Sequence, residues 1–185
     1  MTEIGNIVFQ EGKSTVTMNN KQISFGEIKG RPVVIKQAVN PMYRDCWRPQ
    51  AELKAYRQLR RTALKPFIPR PVDLVRNSMK KPIGLAVEAR PGNLLTAYQA
   101  QKPLTAEMVD RLAAAVTVAY DSGRGVTLDY KMLGPDNLGF DGQGLWFCSC
   151  GLGQPDENYE ATVRGQIDYL RENFCRKQAE PLQKA

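Results

Sequence analysis

"LDYKMLGPDNLGFDGQGLWFCSCGLG", residues 128–153, sets an acid, a lysine and an asparagine (Asp129, Lys131, Asn137) around a Gly-Pro turn. A hairpin marked by Asp141-Gly142 follows, then an apolar run ending in Cys-Ser-Cys-Gly. Asp and Asn beside Gly and Pro are ordinary turn formers, because their short side chains bond the neighbouring backbone. The same residue types also orient nucleophiles and hold hard cations. What flanks the stretch decides between a plain loop and a site.

On its N-terminal side Thr105 is placed to cap a helix, "AEMVDRLAAAVTVAYDSG", with Glu107 in the first turn and Gly123 just past the end. On its C-terminal side a last helix is expected from about Glu157 to Lys177, with Tyr159, Val163, Ile167, Leu170 and Phe174 as its apolar stripe. Core packing of that helix is the plainer reading of the stripe.

The first ninety residues read differently. "NIVF" and "STVTM" are short and apolar, "QISFGEI" alternates, and "PVVIKQAV" is a β-branched strand. Turns are expected at Asn19-Asn20-Lys21 and Lys29-Gly30-Arg31, so these strands form an antiparallel meander. From Gln50 to about Thr62 the residues Leu53, Tyr56 and Leu59 recur at helical spacing. "KPFIPRPV" ends that helix, and "VDLVRNSMKKPIGLAVEA" reads as two strands around a basic turn. "RPGNLLTAY" reads as a short linker, where composition changes from strand-rich to helix-rich.

Composition bounds the function. A chain of 185 residues, 42% hydrophobic and 24% charged, suits one domain or two small lobes sharing a cleft. No run of about 18 apolar residues is present, and "MTEIGNIVFQEGK" lacks the pattern of a secretory signal, so a cytoplasmic protein is expected. There is no histidine, which excludes imidazole bases and His-ligated zinc. Cys46, Cys148, Cys150 and Cys175 are poorly spaced for a zinc knuckle and read as small core residues in a reducing compartment. The net charge of +7 is concentrated around Arg44, Arg48, Arg57, Arg60 and Arg61 and in Arg76, Lys80 and Lys81. Such a face suits an acidic protein, a nucleotide, nucleic acid or an anionic surface.

The order of elements resembles that of a protein kinase: meander, lysine strand, helix, two strands, hinge, long helix, acidic loop, hairpin. It is most similar to very small bacterial kinase-like proteins of the PhoP-regulatory-network type, which share an "ELKxY" helix (here "ELKAY") and a "VT…K…P-x-N" loop. The resemblance covers residues 5–153 loosely. It implies an α+β, two-lobed minimal kinase-like fold. Residues 1–90 would form an antiparallel N-lobe with one helix, and 91–185 a truncated helical C-lobe. In "VVIK", Lys36 would meet nucleotide phosphates and be held by Glu52. Backbone groups from Glu88 to Arg90 would meet an adenine edge. Asp129 would be the catalytic acid with Lys131 beside it, and Asn137 a metal ligand. ATP and Mg2+ are the implied cofactors.

Several features depart from an active enzyme of that kind. "QEGKSTVT" supplies only Gly12 where a glycine-rich loop belongs. It is no P-loop either, since Ile7 replaces the earlier glycine and no helix follows. Asp129 precedes Asn137 by eight positions rather than five, so three residues must loop out, or Asp136 must substitute. Ser149-Cys150-Gly151 stands where a metal-binding Asp-Phe-Gly is expected, and neither hydroxyl nor sulfur replaces a carboxylate on Mg2+. Asp141 or Glu157 would have to reach the site instead. Three functions follow. The first is a degenerate, pseudokinase-like regulator using its basic face, the second an active minimal phosphotransferase. The third, less favoured because few aromatics interleave the arginines, is a nucleic-acid or anionic-surface binder.

Overall fold

The computed structural model of the chain describes residues 3–4, 7–9, 16–18, 21–38, 48–121 and 126–176. Strands β1 (Glu3–Ile4), β2 (Ile7–Phe9), β3 (Val16–Met18), β4 (Lys21–Ile28), β5 (Arg31–Ala38), β6 (Pro71–Arg76) and β7 (Pro82–Glu88) form one antiparallel sheet. Its order is β1-β2-β4-β5-β7-β6, with β3 also paired to β4. The turn expected at Asn19-Asn20 and the Gly12 segment lie outside the described residues, as do Cys46 and Arg44.

The turn between β4 and β5 is the one expected at Lys29-Gly30. Both residues take left-handed φ (51° and 73°), and Ile28 pairs with Arg31 across them. That handedness matches the twist of the strands it joins. Along β5 the side chains alternate. Val33 and Ile35 join Val75 and Ala86 in a small cluster. Val34 and Lys36 belong to the opposite face, in register with Phe25 and Val87, and with Ile23 and Leu85.

Helix α1 (Pro49–Leu59) crosses this second face. It starts at a proline, whose missing N–H would have no helical partner there. Leu53, Tyr56 and Leu59 are buried at helical spacing. Each fully buried apolar side chain of this size contributes roughly 1.5–3 kcal/mol. Glu52 is carried inward with them, although carboxylates are rarely buried.

The segment expected as a linker is structured. Asn93–Leu94 is a strand, β8, and Leu95–Gln101 is a 3-10 helix whose Leu95 is fully buried. That single leucine converts a polar connection into part of the core. Helix α2 (Ala106–Asp121) follows, and the Thr105 hydroxyl accepts the Met108 N–H at 3.3 Å as its cap. Then come β9 (Thr127–Leu128), two 3-10 turns (Tyr130–Leu133 and Pro135–Asn137), β10 (Leu138–Phe140), β11 (Leu145–Phe147), β12 (Leu152–Gly153) and helix α3 (Tyr159–Phe174). β10 pairs with β11 through the Asp141-Gly142 turn and with β8 on its other edge; β12 pairs with β9.

The architecture is mixed α+β with antiparallel sheets. One core cluster runs from Leu53, Tyr56 and Leu85 through Leu95 and Leu112 to Phe147, Leu170 and Phe174. The apolar stripe of α3 serves this core: Ile167, Leu170 and Phe174 are buried. Tyr159 stacks on Tyr120 (5.0 Å between ring centres) and donates its hydroxyl to the Leu128 carbonyl at 2.9 Å. Among the described residues no helix is long and apolar enough to cross a membrane.

Candidate functional site

Lys36 ends a buried alternation on β5, so its four-carbon stem lies among apolar groups and its ammonium must find acceptors inside. It finds three. Nζ donates to Glu52 Oε1 at 2.7 Å, to the Tyr56 hydroxyl at 3.0 Å, and to the Cys148 carbonyl. The side chains of Lys36 and Glu52 are each 4% exposed. Glu52 and Tyr56 stand four apart on α1, one turn of the same face, which is how one helix delivers both groups to one cation. Tyr56 also donates to the Cys148 carbonyl at 3.2 Å, and Ser149 Oγ donates to Glu52 Oε1 at 2.9 Å. An ammonium has three N–H groups and no more. All three are spent within the protein.

This knot ties β5, α1 and the loop after β11 together beneath a cavity of about 530 Å³. The volume falls within the usual range for small-molecule sites. Ile23, Phe25, Val34 and Val87 line it from the seven-stranded sheet, and Pro69 lines it too; Leu94 and Trp146 come from the β8–β10–β11 sheet. Gly139, opposite Trp146 on β10, leaves the indole its place: a β-carbon there would stand 2.2 Å from the ring. The Trp146 Nε1 is buried and has no hydrogen-bond partner.

The sequence-derived site residues separate into two sets. Lys36, Glu88, Arg90 and Asn137 line the cavity, and Glu52 stands directly behind Lys36. Asp129 and Lys131 are not on the wall. The Asp129 carboxylate accepts the Lys131 backbone N–H at 3.0 Å, capping the Tyr130–Leu133 turn, and its side chain lies against Gly151. Lys131 is exposed. Met132 and Leu133 lie in that turn, and buried Leu133 anchors it in the core. Asp136, adjoining Asn137, is the acid of this loop that reaches the cavity. The Asn137 amide donates to the Lys131 carbonyl at 3.0 Å. Asp141 is occupied elsewhere, accepting the Gln143 and Gly144 N–H groups at 2.9 and 2.8 Å. Glu157 is exposed and not on the wall.

The main-chain groups expected to meet an adenine edge are partly committed. The Glu88 N–H donates to the Arg70 carbonyl at 2.8 Å and the Ala89 N–H to the Pro32 carbonyl at 3.1 Å. The Arg90 N–H donates to no group among the described residues. Sequence reasoning did not anticipate Tyr56 or the Cys148 carbonyl as partners of Lys36. The four-residue step from Glu52 to Tyr56 could have pointed to the tyrosine; nothing in the sequence points to a main-chain carbonyl.

The cavity does not fit Mg2+. That ion demands several hard oxygen ligands in near-octahedral array, usually including carboxylate. Among the described residues no group of three His, Cys, Asp or Glu side chains is arranged to hold a metal. The hydroxyl at the expected metal-ligand position, Ser149, is directed to Glu52.

Burial also governs the protons near the knot. It pushes the Cys148 thiol from 9.0 up to about 12 against the opposing pull of Lys36, raises Cys150 for the same reason, and raises the Tyr56 hydroxyl. Burial, helped by Tyr120 and Asp129, pushes the Tyr159 hydroxyl up to about 12. These groups stay protonated in the fold but ionise in the unfolded chain from about pH 9 upward. The unfolded state therefore binds fewer protons in alkali, and stability present below pH 9 is lost as pH rises toward 12. The urea midpoint is expected to fall steadily between pH 8.5 and 11; a flat profile there would contradict the burial of these hydroxyls and thiols.

No protein-family model matches the chain, and no curated protein matches it at a significant level.

Proposed function

We propose that this chain is a kinase-like protein whose nucleotide machinery is degenerate and which works by binding rather than by transferring phosphate. Residues 1–90 and 91–185 are its two lobes, and the cavity beneath β4 and β5 is the remnant of the cleft. One observation carries this: the Lys36 ammonium has already spent its three N–H groups on Glu52, Tyr56 and the Cys148 carbonyl. A phosphate could approach it only by displacing a buried acceptor, and leaving that acceptor unpaired costs about 1–3 kcal/mol. With Ser149 in place of a metal-binding carboxylate, charge developing on a transferred phosphoryl group would go unneutralised, which removes the dominant stabilisation in that chemistry.

A regulator of this kind meets its partner through its surface. Lys54 and Arg57 on α1, with Lys65 after it, are exposed and cationic, and Arg70, Lys80 and Lys81 extend the positive surface along β6 and the following turn. An acidic protein is the partner such a face suits best; a nucleic acid would instead show affinity falling steeply with salt.

The second reading, an active minimal phosphotransferase, is favoured by the presence of both Asp136 and Asn137 on the cavity wall. Incubation of the purified chain with ATP and Mg2+ or Mn2+ separates the two. No phosphate release or autophosphorylation above background is expected. Steady turnover that disappears in Asp136→Asn and Asn137→Ala would overturn the proposal.

A further inference from the structure

We infer that the groove between residues 63–67, helix α2 and the β10–β11 turn docks an acidic segment of a partner protein, with one apolar side chain entering the groove and flanking carboxylates meeting Arg90 and Arg111. This rests on the reading above that the partner is acidic, and goes beyond it by naming where and by what chemistry that partner is held.

The groove encloses about 470 Å³ and, among the described residues, shares only Arg90 with the cavity beneath β4 and β5. Its floor is apolar. Phe67, from the Lys65–Phe67 turn, and Met108, from α2, are half-buried, and Leu145 of β11 lies with them. Apolar side chains gathered from three segments leave surface that a partner's leucine-sized side chain can cover, worth roughly ten- to a hundredfold in affinity.

The charge around this floor is mostly of one sign. Arg90 and Arg111 both line the groove, and neither belongs to the ion pairs among the described residues, which are Lys36–Glu52, Arg171–Asp110 and Arg171–Asp168. Lys65, exposed between the wall residues Ala63 and Pro66, adds a third cation beside it. The one carboxylate on the wall, that of Asp141, already accepts the Gln143 and Gly144 N–H groups at 2.9 and 2.8 Å. Asp110, on the same helix as Arg111, is bound to Arg171, and Glu107 is exposed and not on the wall. A guanidinium without a partner can take a carboxylate in two parallel hydrogen bonds, which a flanking Asp or Glu supplies. Nucleic acid fits less well. Single strands are held by stacking bases on aromatic rings along a cationic track, whereas this groove offers one ring, Phe67, with Asp141 set among its cations.

The test is calorimetric titration of the full chain with the peptide EDELLDEE, its equally charged form EDEAADEE, and single-stranded DNA. EDELLDEE is expected to bind at least tenfold more tightly than EDEAADEE, and more tightly than the DNA. Arg111 and Gln143 are exposed, so Arg111→Glu and Gln143→Glu change the wall without touching the core. Each should weaken EDELLDEE, the first at least tenfold. Arg57→Glu removes a cation of α1 that is not on the groove wall and should change it less than twofold. No binding of EDELLDEE at millimolar concentration overturns the inference, as do equal affinities for the two peptides or tighter binding of the DNA. Unchanged affinity in Arg111→Glu, or an equal loss in Arg57→Glu, overturns it too, because attraction would then belong to the general positive surface. In that last case the acidic-partner reading stands without the groove, and none of these outcomes bears on ATP turnover, which tests the non-transferring reading separately.

Discussion

Lys36→Met is expected to destabilise the protein by about 3 kcal/mol or more, seen as a lower urea midpoint with an unchanged slope. Methionine keeps the length of the stem but removes the ammonium that the buried Glu52 carboxylate faces at 2.7 Å. Ser149 still donates to it, and Tyr56 still donates to the Cys148 carbonyl, so the loss stops short of unfolding the knot altogether. The reciprocal change distinguishes a buried pair from a merely crowded one. Lys36→Met combined with Glu52→Leu removes both charges, and such replacements are often neutral, so most of the lost stability should return. A single variant within 1 kcal/mol of the parent, or a double variant no better than the single, would contradict the arrangement. The result also bears on function, because a lysine serving only a phosphate could be removed without harm to the fold.

Gly92→Ala should cost about 3 kcal/mol, for two separable reasons. Gly92 has φ of +91°, a conformation that strains any residue with a β-carbon by about 1 kcal/mol or more. An added β-carbon would also stand 2.0 Å from the Phe140 carbonyl oxygen and 2.7 Å from its carbon. Both are backbone atoms held by the pairing of Phe140 with Asn93 and Leu145, so they cannot swing aside as a side chain would. Relief requires shifting β8 away from β10, at a cost typical of overpacking, about 1–3 kcal/mol. Because Asn93 and Leu94 line the cavity, the same shift should deform its wall. Gly142→Ala is the control: its φ is the same, +91°, but nothing lies within 4 Å of the added carbon, so only the strain should appear. Equal losses at the two positions would remove the close approach at Gly92 from the explanation.

Much of the local structure was legible because it depends on neighbours in the chain. Period-2 alternation placed β4, a β-branched run placed β5, helical spacing of Leu53, Tyr56 and Leu59 placed α1, and the Thr105 hydroxyl announced the start of α2. The proximity of Lys36 and Glu52 was also legible, since a strand lysine and a helix glutamate at those offsets fit a known order of elements. Where local signals misled, a distant contact had intervened. The stretch after Arg90 reads as a linker from its Pro, Gly and Asn, yet Leu95 is drawn wholly into the core and Asn93–Leu94 finds an edge on β10. Asp129 reads as a cavity acid, but its carboxylate satisfies a backbone N–H two residues on, a bond always within its reach.

The pattern of apolar and turn residues thus determined which segments are strands and helices, because that depends on spacing within one element; the meeting of Lys36 with Glu52 was an expectation of the kinase resemblance alone. Only the folded chain decided what happens to the charge. A main-chain carbonyl at Cys148 and a hydroxyl from Tyr56 complete the lysine's bonding, and Ser149 turns to Glu52, because burial forces every polar group to find whichever partner packing has brought within 3 Å or so. Carbonyls are common to all residues, so no residue code marks the one that will serve.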